Sequence, residues 1–235
     1  MDDLRDLDRF DPFDVFDAEA ARLDRFFSGL DDEGWRRPSR AAGWSVRDVL
    51  GHLAGEELYN QACLDGTLRE LRSLMSREGI SGYNEFNEWC VRQRRDLPVE
   101  EVVQEWRTKN GDTRRRMREL GPDAALETMA GAYPVGRQTF HYDSEYATHA
   151  DDVGAPVSAE EAGGRTLWRV AVGRMALAET DAKVGVEQGD ERIRVSADGV
   201  EASLSLPEFV EATVGRLPED HPLDPRLVSA LRCLA

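Results

Sequence analysis

Apolar and polar residues alternate along the first two thirds of the chain with the period of an α-helix. Between residues 12 and 30, apolar side chains recur at intervals of three and four positions. This spacing places them along one side of a helix, which can then be buried. Similar patterns predict further helices over residues 46–58, 66–77, 84–95, 98–120 and 137–152. We therefore predict four principal antiparallel helices with a shorter insertion, which is typical of helical bundles.

Local signals mark where several of these helices begin. Ser45 is followed three positions later by Asp48, and this pair predicts a capping box at the start of the second principal helix. Pro98 predicts the first turn of a later helix. The segments 31–44 and 123–136 contain glycine and proline, and we predict that both are loops.

Beyond residue 156 the pattern changes. Residues 160–180 predict one more helix, but residues 184–206 alternate apolar and polar positions in short stretches. Turn signals at residues 189–190 and 198–199 separate these stretches, which indicates β-hairpins. Two short amphipathic helices then close the chain.

The predicted fold is mainly α. We expect a four-helix bundle over residues 1–156, followed by a small α/β C-terminal domain over residues 157–235. The chain of 235 residues is long enough for either one large domain or two small ones.

Composition excludes several classes of partner. The formal net charge is −16 and the pI is near 4.7, which argues against sequence-independent nucleic-acid binding and against attachment to an anionic membrane surface. A basic run over residues 107–119 is flanked by acidic segments, and we interpret it as a solvated helix face. No apolar run approaches the roughly 18–20 residues that span a bilayer. The acidic N-terminus lacks the features of a signal peptide.

The three cysteines indicate a reducing compartment. Cys63, Cys90 and Cys233 lie far apart and form no CxxC pair, so we expect reduced thiols in a cytoplasmic protein. The sequence leaves open whether the protein is a monomer or a homodimer.

One stretch near residue 145 carries candidate chemistry. His141, Glu145 and His149 recur every four residues, and Arg137 extends the row by one turn. On a helix these side chains lie along one side. Imidazole and carboxylate are zinc ligands, and a pair spaced i, i+4 can bind one ion. Two ligands on one helix hold a metal weakly, so another helix must supply a third.

His52 is the best candidate for the third ligand. It lies at the edge of the apolar stripe of the second principal helix, with Glu56 one turn further along. Together with Glu145 and His149 it gives three protein ligands, which leaves the open position typical of a catalytic zinc site. The alternatives are a half-buried, hydrogen-bonded histidine for His52 and an ordinary surface pair for the other two residues.

Two segments together resemble a known family. The residues GWSVRDVLGHLAGEE, followed by SEYATHADD, look like the mycothiol-dependent maleylpyruvate isomerase family of the DinB-like superfamily. That family is similar in its Trp–Ser/Thr–Val–Arg/Lys–Asp helix start, its His-Leu-Ala and its later Glu-x-x-x-His with an aspartate three residues on. The matching positions here are Trp44, Ser45, Val46, Arg47, Asp48, His52, Glu145, His149 and Asp152. The resemblance covers most of residues 10–155 and extends more loosely to residues 205–216.

The resemblance implies a function. It implies a four-helix bundle with a C-terminal α/β domain. It also implies that His52, Glu145 and His149 bind zinc or another divalent cation, and that the co-substrate is a low-molecular-weight thiol such as mycothiol. It also implies that Arg216 is a cation facing the site. His141 lies outside the family pattern, so it is predicted either to exchange protons or to act as a fourth ligand.

Two further residues are candidates for binding the thiol or a carboxylate. Arg137 carries a guanidinium group that matches the two oxygens of a carboxylate, and Trp44 belongs to the helix-start motif. The alternatives are a surface charge for Arg137, core packing for Trp44, and a charge favoured by the helix dipole for Arg216.

The predicted activity is thiol chemistry on a small electrophile. A thiol becomes a strong nucleophile when it loses its proton beside a cation, so we expect an isomerase or an S-transferase. The alternatives are a metal-assisted hydrolase, with Glu56 or His141 as base, and a non-enzymatic metal-binding regulatory module. Two histidines and one carboxylate suit zinc, nickel and iron alike, so the ligands leave the metal open.

Overall fold

The computed structural model describes residues 6–234 and is mainly helical, with small β-sheets. It divides into two compact units, one of residues 12–156 and one of residues 157–234 together with residues 6–11. The prediction of a mainly α fold followed by a small α/β part is confirmed. Residues 1–5 and 235, the outer ends of the predicted domains, lie outside the described residues. None of the helices within residues 6–234 combines the length and the apolar character needed to cross a membrane.

The first unit is a helical bundle with one short hairpin. Within residues 12–156 the elements are α1 (Pro12–Ser28), α2 (Asp32–Arg36), α3 (Val46–Asp65), α4 (Leu68–Arg77), α5 (Tyr83–Arg94), α6 (Val99–Leu120), β1 (Ala125–Thr128), β2 (Gly131–Pro134) and α7 (Val135–Val153). The long helices α1, α3, α6 and α7 pack against one another. Their apolar sides share one core, which contains Phe16, Leu50, Trp106 and Tyr146. Helices α4 and α5 pack beside α3 around a smaller cluster.

The start of α3 is fixed by the predicted capping box. The Ser45 hydroxyl accepts a hydrogen bond from the Asp48 amide at 3.2 Å, and the Asp48 carboxylate accepts one from the Ser45 amide at 3.0 Å. Two of the four amides that lack a partner within the helix are thereby satisfied. The cap therefore sets the register that carries His52 into the core two turns later.

The prediction that two segments are loops is wrong in part. Residues 31–44 contain the short helix α2, in which the Asp31 side chain accepts a hydrogen bond from the Gly34 amide at 2.8 Å. Residues 123–136 contain the antiparallel hairpin of β1 and β2, in which Leu126 pairs with Tyr133. A helix of five residues and strands of four residues are too short to produce a recognisable hydrophobic period.

The second unit is a small α/β structure. Besides a 3₁₀ turn at Leu7–Arg9, its elements are α8 (Ala159–Glu179), β3 (Gly185–Gln188), β4 (Arg192–Ala197), β5 (Val200–Ser205), α9 (Leu206–Thr213) and α10 (Pro225–Leu231). The three strands form an antiparallel sheet in the order β3-β4-β5. Ile193, Val195 and Leu204 of the sheet share a core with Phe209 and Leu227 of the helices.

The basic run of α6 is paired with carboxylates of a neighbouring helix. Arg107 lies 2.6 Å from Asp24, and Arg118 lies 2.9 Å from Asp14 and 2.8 Å from Asp17, all on α1. Exposed pairs of this kind contribute at most about 1 kcal/mol each. They nevertheless place opposite charges along the line where α1 and α6 meet.

At Gly55, α3 packs closely against α5. A Cβ added there would lie 2.3 Å from Cβ and 2.8 Å from Sγ of Cys90. Gly55→Ala is therefore expected to lower the free energy of unfolding by about 3 kcal/mol, because the packed helices must separate. Gly111→Ala is the matched control: Gly111 lies within α6, nothing lies within 4 Å of an added Cβ, and alanine is about 1 kcal/mol better in a helix. Urea unfolding of both variants checks the two opposite signs, and equal effects would contradict this account of the packing.

Candidate metal centre

Three side chains from α3 and α7 meet at one point. Nε2 of His52 lies 2.8 Å from Oε1 of Glu145, and Nε2 of His149 lies 3.1 Å from the same oxygen. One ligand atom from each residue lies within 4.8 Å of the other two, the one such cluster among the described residues. The structure thus brings together the three residues predicted as ligands.

The two histidines differ in what holds their rings. Nδ1 of His149 lies 3.1 Å from Oδ2 of Asp152, a fully buried carboxylate one turn further along α7. Nδ1 of His52 is also buried, but it has no hydrogen-bond partner among the described residues. A carboxylate on the outer nitrogen orients an imidazole ligand and makes it more basic. Among the described residues, only the ring of His149 therefore has a hydrogen bond at its outer nitrogen, Nδ1, that helps to fix its orientation.

The charges around the cluster favour a positive charge on His149, between the carboxylates of Glu145 and Asp152. Burial acts to lower the pKa of His149, but the charges and hydrogen bonds of Glu145 and Asp152 together raise it to about 9. Burial dominates at His52 and lowers its pKa. Burial also opposes ionisation of Glu145, yet the two imidazoles hold its pKa well below its usual range. Around neutral pH the cluster is thus a carboxylate beside one imidazolium and one neutral imidazole.

The donor set fits a divalent cation. Nitrogen and oxygen ligands at the usual 2.0–2.2 Å from a tetrahedral zinc lie about 3.3 Å from one another. The observed separations of 2.8 and 3.1 Å differ from this value by only a few tenths of an ångström. The three donors face one another, they are two imidazoles and one carboxylate, and the surroundings already stabilise positive charge. The two imidazole nitrogens lie within 4.8 Å of each other, so the donors are close enough to hold one ion after local adjustment of the side chains.

Glu56 lies beside the cluster on α3. Its Oε2 is 3.7 Å from Nε2 of His52, and its Oε1 is buried without a hydrogen-bond partner among the described residues. Burial, together with the nearby carboxylates of Glu145 and Glu57, raises the pKa of Glu56 well above its ordinary value.

A second carboxylate lies deeper, between α3, α6 and α7. Glu57 is fully buried and accepts hydrogen bonds from Asn110 at 3.0 Å, Thr113 at 2.6 Å and the Tyr146 hydroxyl at 3.3 Å. That hydroxyl in turn accepts a hydrogen bond from Nε1 of Trp106 at 2.9 Å. This network could not be predicted from the sequence, because its polar residues stand inside otherwise apolar helical stripes and carry no pattern of their own.

Of the other predicted site residues, two lie near the cluster. The Trp44 ring centroid is 5.0 Å from that of His52 and 6.1 Å from that of His149. His141 is half-buried one turn before Glu145 and lies outside the ligand cluster. Its Nε2 is 3.3 Å from the hydroxyl of Tyr133 on β2.

The two predicted arginines lie near the ends of helices. Arg137 is half-buried in the first turn of α7. Arg216 follows α9 in the second unit, where its amide donates to the Glu211 carbonyl at 2.8 Å. The roles predicted for both residues stay predictions.

Comparison with known proteins identifies a family and a fold. The profile of the family described as "Mycothiol maleylpyruvate isomerase N-terminal domain" matches residues 16–154. A crystal structure of the mycothiol-dependent maleylpyruvate isomerase has a TM-score of 0.64 and 15% sequence identity, over 94% of this chain and 95% of that chain. A histidine-to-alanine mutant of the mycothiol-dependent maleylpyruvate isomerase has a TM-score of 0.52 and 14% identity, over 74% of this chain and 68% of that chain. No curated protein matches the sequence. At these identities the two structures establish a shared fold.

Proposed function

Because the chain belongs to the mycothiol maleylpyruvate isomerase N-terminal domain family, we propose that it is a metal-dependent enzyme that uses a low-molecular-weight thiol. The thiol, such as mycothiol, attacks a small electrophile, and the outcome is isomerisation or S-transfer. The observation that carries the proposal is the convergence of His52, Glu145 and His149 from two helices.

The three residues would hold a divalent cation, with zinc favoured by the nitrogen and oxygen donors. A cation held there supplies a positive charge that lowers the pKa of an adjacent thiol, so that the thiolate is available at neutral pH. Three protein ligands leave room for one ligand from solution. The side chains of His52 and His149 are 2% and 6% exposed, whereas that of Glu145 is 31% exposed. Small molecules therefore reach the cluster from the side of Glu145.

The other predicted site residues are assigned supporting roles. His141, one turn from Glu145, exchanges a proton with the reacting molecule, and the Tyr133 hydroxyl limits the rotation of its ring. Arg137 binds a carboxylate of the thiol or of the electrophile, and Trp44 offers an aromatic wall beside the ligands. Arg216 is the candidate carboxylate-binding residue of the second unit.

The chemistry needs no net oxidation or reduction. The thiolate sulfur forms a bond to one carbon of a conjugated alkene, and the alkene electron pair moves to the carbonyl oxygen. Rotation about the resulting single bond and return of the electrons expel the thiolate, which gives cis–trans isomerisation. If a proton is added to carbon instead, the adduct persists and the reaction is an S-transfer.

The reaction class can be tested directly. Zinc-loaded protein would be incubated with mycothiol, glutathione or cysteine and with a panel of conjugated cis-enoates, and the products followed by NMR. We expect turnover to fall by at least about 100-fold when either the thiol or the cation is omitted. Equal turnover without thiol would contradict the proposal and favour a hydrolase. Metal binding without turnover of any electrophile would favour a regulatory module.

The proposed enzyme acts in the cytoplasm on small molecules. Its partners are a small electrophile and a small thiol, and a reducing cytoplasm suits thiol chemistry. The free state of Cys63, Cys90 and Cys233 supports that location.

A further inference from the structure

An indole ring lies against both imidazole ligands. The ring of Trp44 is stacked on that of His149, with 29° between the planes, and is tilted by 39° against that of His52. The two imidazoles lie 4.8 Å apart, centroid to centroid. One side chain thus lies beside both rings that the proposed cation needs.

The contact matters most for His52. An imidazole binds a cation only when the lone pair of one ring nitrogen points at it, so rotation of the ring by a few tens of degrees weakens binding. Asp152 holds the ring of His149 through its outer nitrogen. The outer nitrogen of His52 has no such partner among the described residues. Packing against Trp44 therefore replaces the usual hydrogen bond as the restraint on that ring.

Trp44 is itself held at both its backbone and its ring. Its carbonyl accepts hydrogen bonds from the amide and the hydroxyl of Ser39, both at 2.9 Å, and its amide donates to the Ala41 carbonyl at 3.0 Å. The amide of Arg40, which follows Ser39, donates to the Asp152 carbonyl at 2.9 Å and so connects the loop before α3 to α7. At the ring, Nε1 donates to Oε1 of Glu88 at 2.7 Å. A hydrogen bond to a carboxylate is about twice as strong as a neutral one, so it restrains rotation of the indole.

Glu88 has no visible role in folding. It is exposed on α5, whereas the buried residues of that helix are Phe86, Cys90, Val91 and Arg94. In the described part of the chain, its carboxylate accepts a hydrogen bond from Trp44. Removing its carboxylate leaves no cavity in the core.

We propose that Trp44, fixed by Glu88, is a positioning residue that holds the imidazoles of His52 and His149 in the orientation that binds the cation. The inference rests on the metal-binding part of the proposed function and is independent of the thiol chemistry. Under this inference, the exposed Glu88 on helix α5 affects the zinc affinity of a buried site.

A double-mutant cycle in the full-length protein tests the inference. Zinc affinity would be measured by competition with a chromophoric chelator for the wild type, Trp44→Phe, Glu88→Ala and the double variant. We expect each single change to weaken zinc binding about fivefold, and the double variant to be no weaker than about fivefold, because both changes remove the same restraint. Glu88→Gln keeps an acceptor oxygen and is expected to stay within about twofold of the wild type. Glu85→Ala, at another exposed carboxylate of α5 that accepts hydrogen bonds from Ser81 instead of Trp44, is the control expected to leave zinc affinity unchanged.

A second readout separates positioning from loss of structure. In cobalt-loaded protein, the visible spectrum reports the geometry of the ligands, and we expect it to change in Glu88→Ala while the urea unfolding midpoint stays the same. Additive effects of about 25-fold, or wild-type affinity and spectrum in both single variants, would overturn the inference and leave the proposed function standing. Loss of affinity in the cycle without thiol-dependent turnover would leave the inference standing and remove the proposed thiol chemistry. A wild type that binds neither ion would overturn both.

Discussion

Replacing either histidine of the cluster by alanine is expected to abolish stoichiometric zinc binding. Three ligands are the minimum for a tight open site. Loss of one ligand should weaken zinc binding by more than about 100-fold, a larger effect than removing a residue that only hydrogen-bonds to a ligand. Elemental analysis of protein purified with added zinc should fall from about one equivalent per chain to about none in both His52→Ala and His149→Ala.

The two substitutions should differ in their effect on stability. Burial opposes protonation of His149, but the carboxylates of Glu145 and Asp152 raise its pKa, so its positive charge compensates theirs. His149→Ala leaves those carboxylates without that charge, and we expect a loss of about 3 kcal/mol in metal-free protein. The lowered pKa of His52 shows that its ring is neutral there. His52→Ala should therefore lose the metal with a smaller loss of stability.

His221→Ala is the matched control for both variants. His221 lies in the second unit, where its Nε2 is 3.5 Å from Oε1 of Glu208. Its removal should leave zinc content at the wild-type value. Retention of a full equivalent of zinc in both cluster variants would show that the ion, if bound, is held elsewhere, and the candidate site would have to be abandoned.

The sequence predicts the site where it depends on local rules. The Ser45–Asp48 cap and the four-residue spacing of Glu145 and His149 follow from the geometry of single helices, and the structure contains both arrangements. The meeting of His52 with Glu145 depends instead on the packing of α3 against α7, across 93 positions of sequence. Spacing alone does not determine that packing: it made His52 the best candidate for the third ligand, and resemblance to a family strengthened that prediction.

Other parts of the site leave no trace in the sequence. Glu88 is an ordinary exposed helix residue whose significance comes from a partner 44 positions away. The hairpin that brings Tyr133 to His141 has strands of four residues, too short for a period-two pattern to stand out. Such contacts are set by tertiary packing, so hydrophobic periodicity cannot reveal them.

Glu57→Ala is expected to be the most destabilising single change described here. The substitution leaves Asn110, Thr113 and Tyr146 without their shared acceptor in a fully buried position. Unsatisfied buried donors cost about 1–3 kcal/mol each, and part of that is recovered by relaxation. We expect a loss of about 3–5 kcal/mol in the free energy of unfolding, measured with urea. Glu57→Gln keeps the shape and one acceptor oxygen, so its loss near pH 4.5 should be about 1 kcal/mol.

The free energy of unfolding of the wild type and that of Glu57→Gln should depend differently on pH. Burial raises the pKa of Glu57 above its ordinary value of 4.5, although its hydrogen-bond donors oppose the shift. The folded state therefore binds this proton more tightly than the unfolded chain. The stabilisation that protonated Glu57 contributes is complete below about pH 4.5 and is lost as pH rises through the folded pKa. The free energy of unfolding then falls by at most about 1.4 kcal/mol per pH unit. Because glutamine does not titrate, the stability difference between wild type and Glu57→Gln should shrink from pH 4.5 to pH 7.5. A difference that grows over this range would mean that Glu57 is ionised in the folded protein, held as a carboxylate by its three donors.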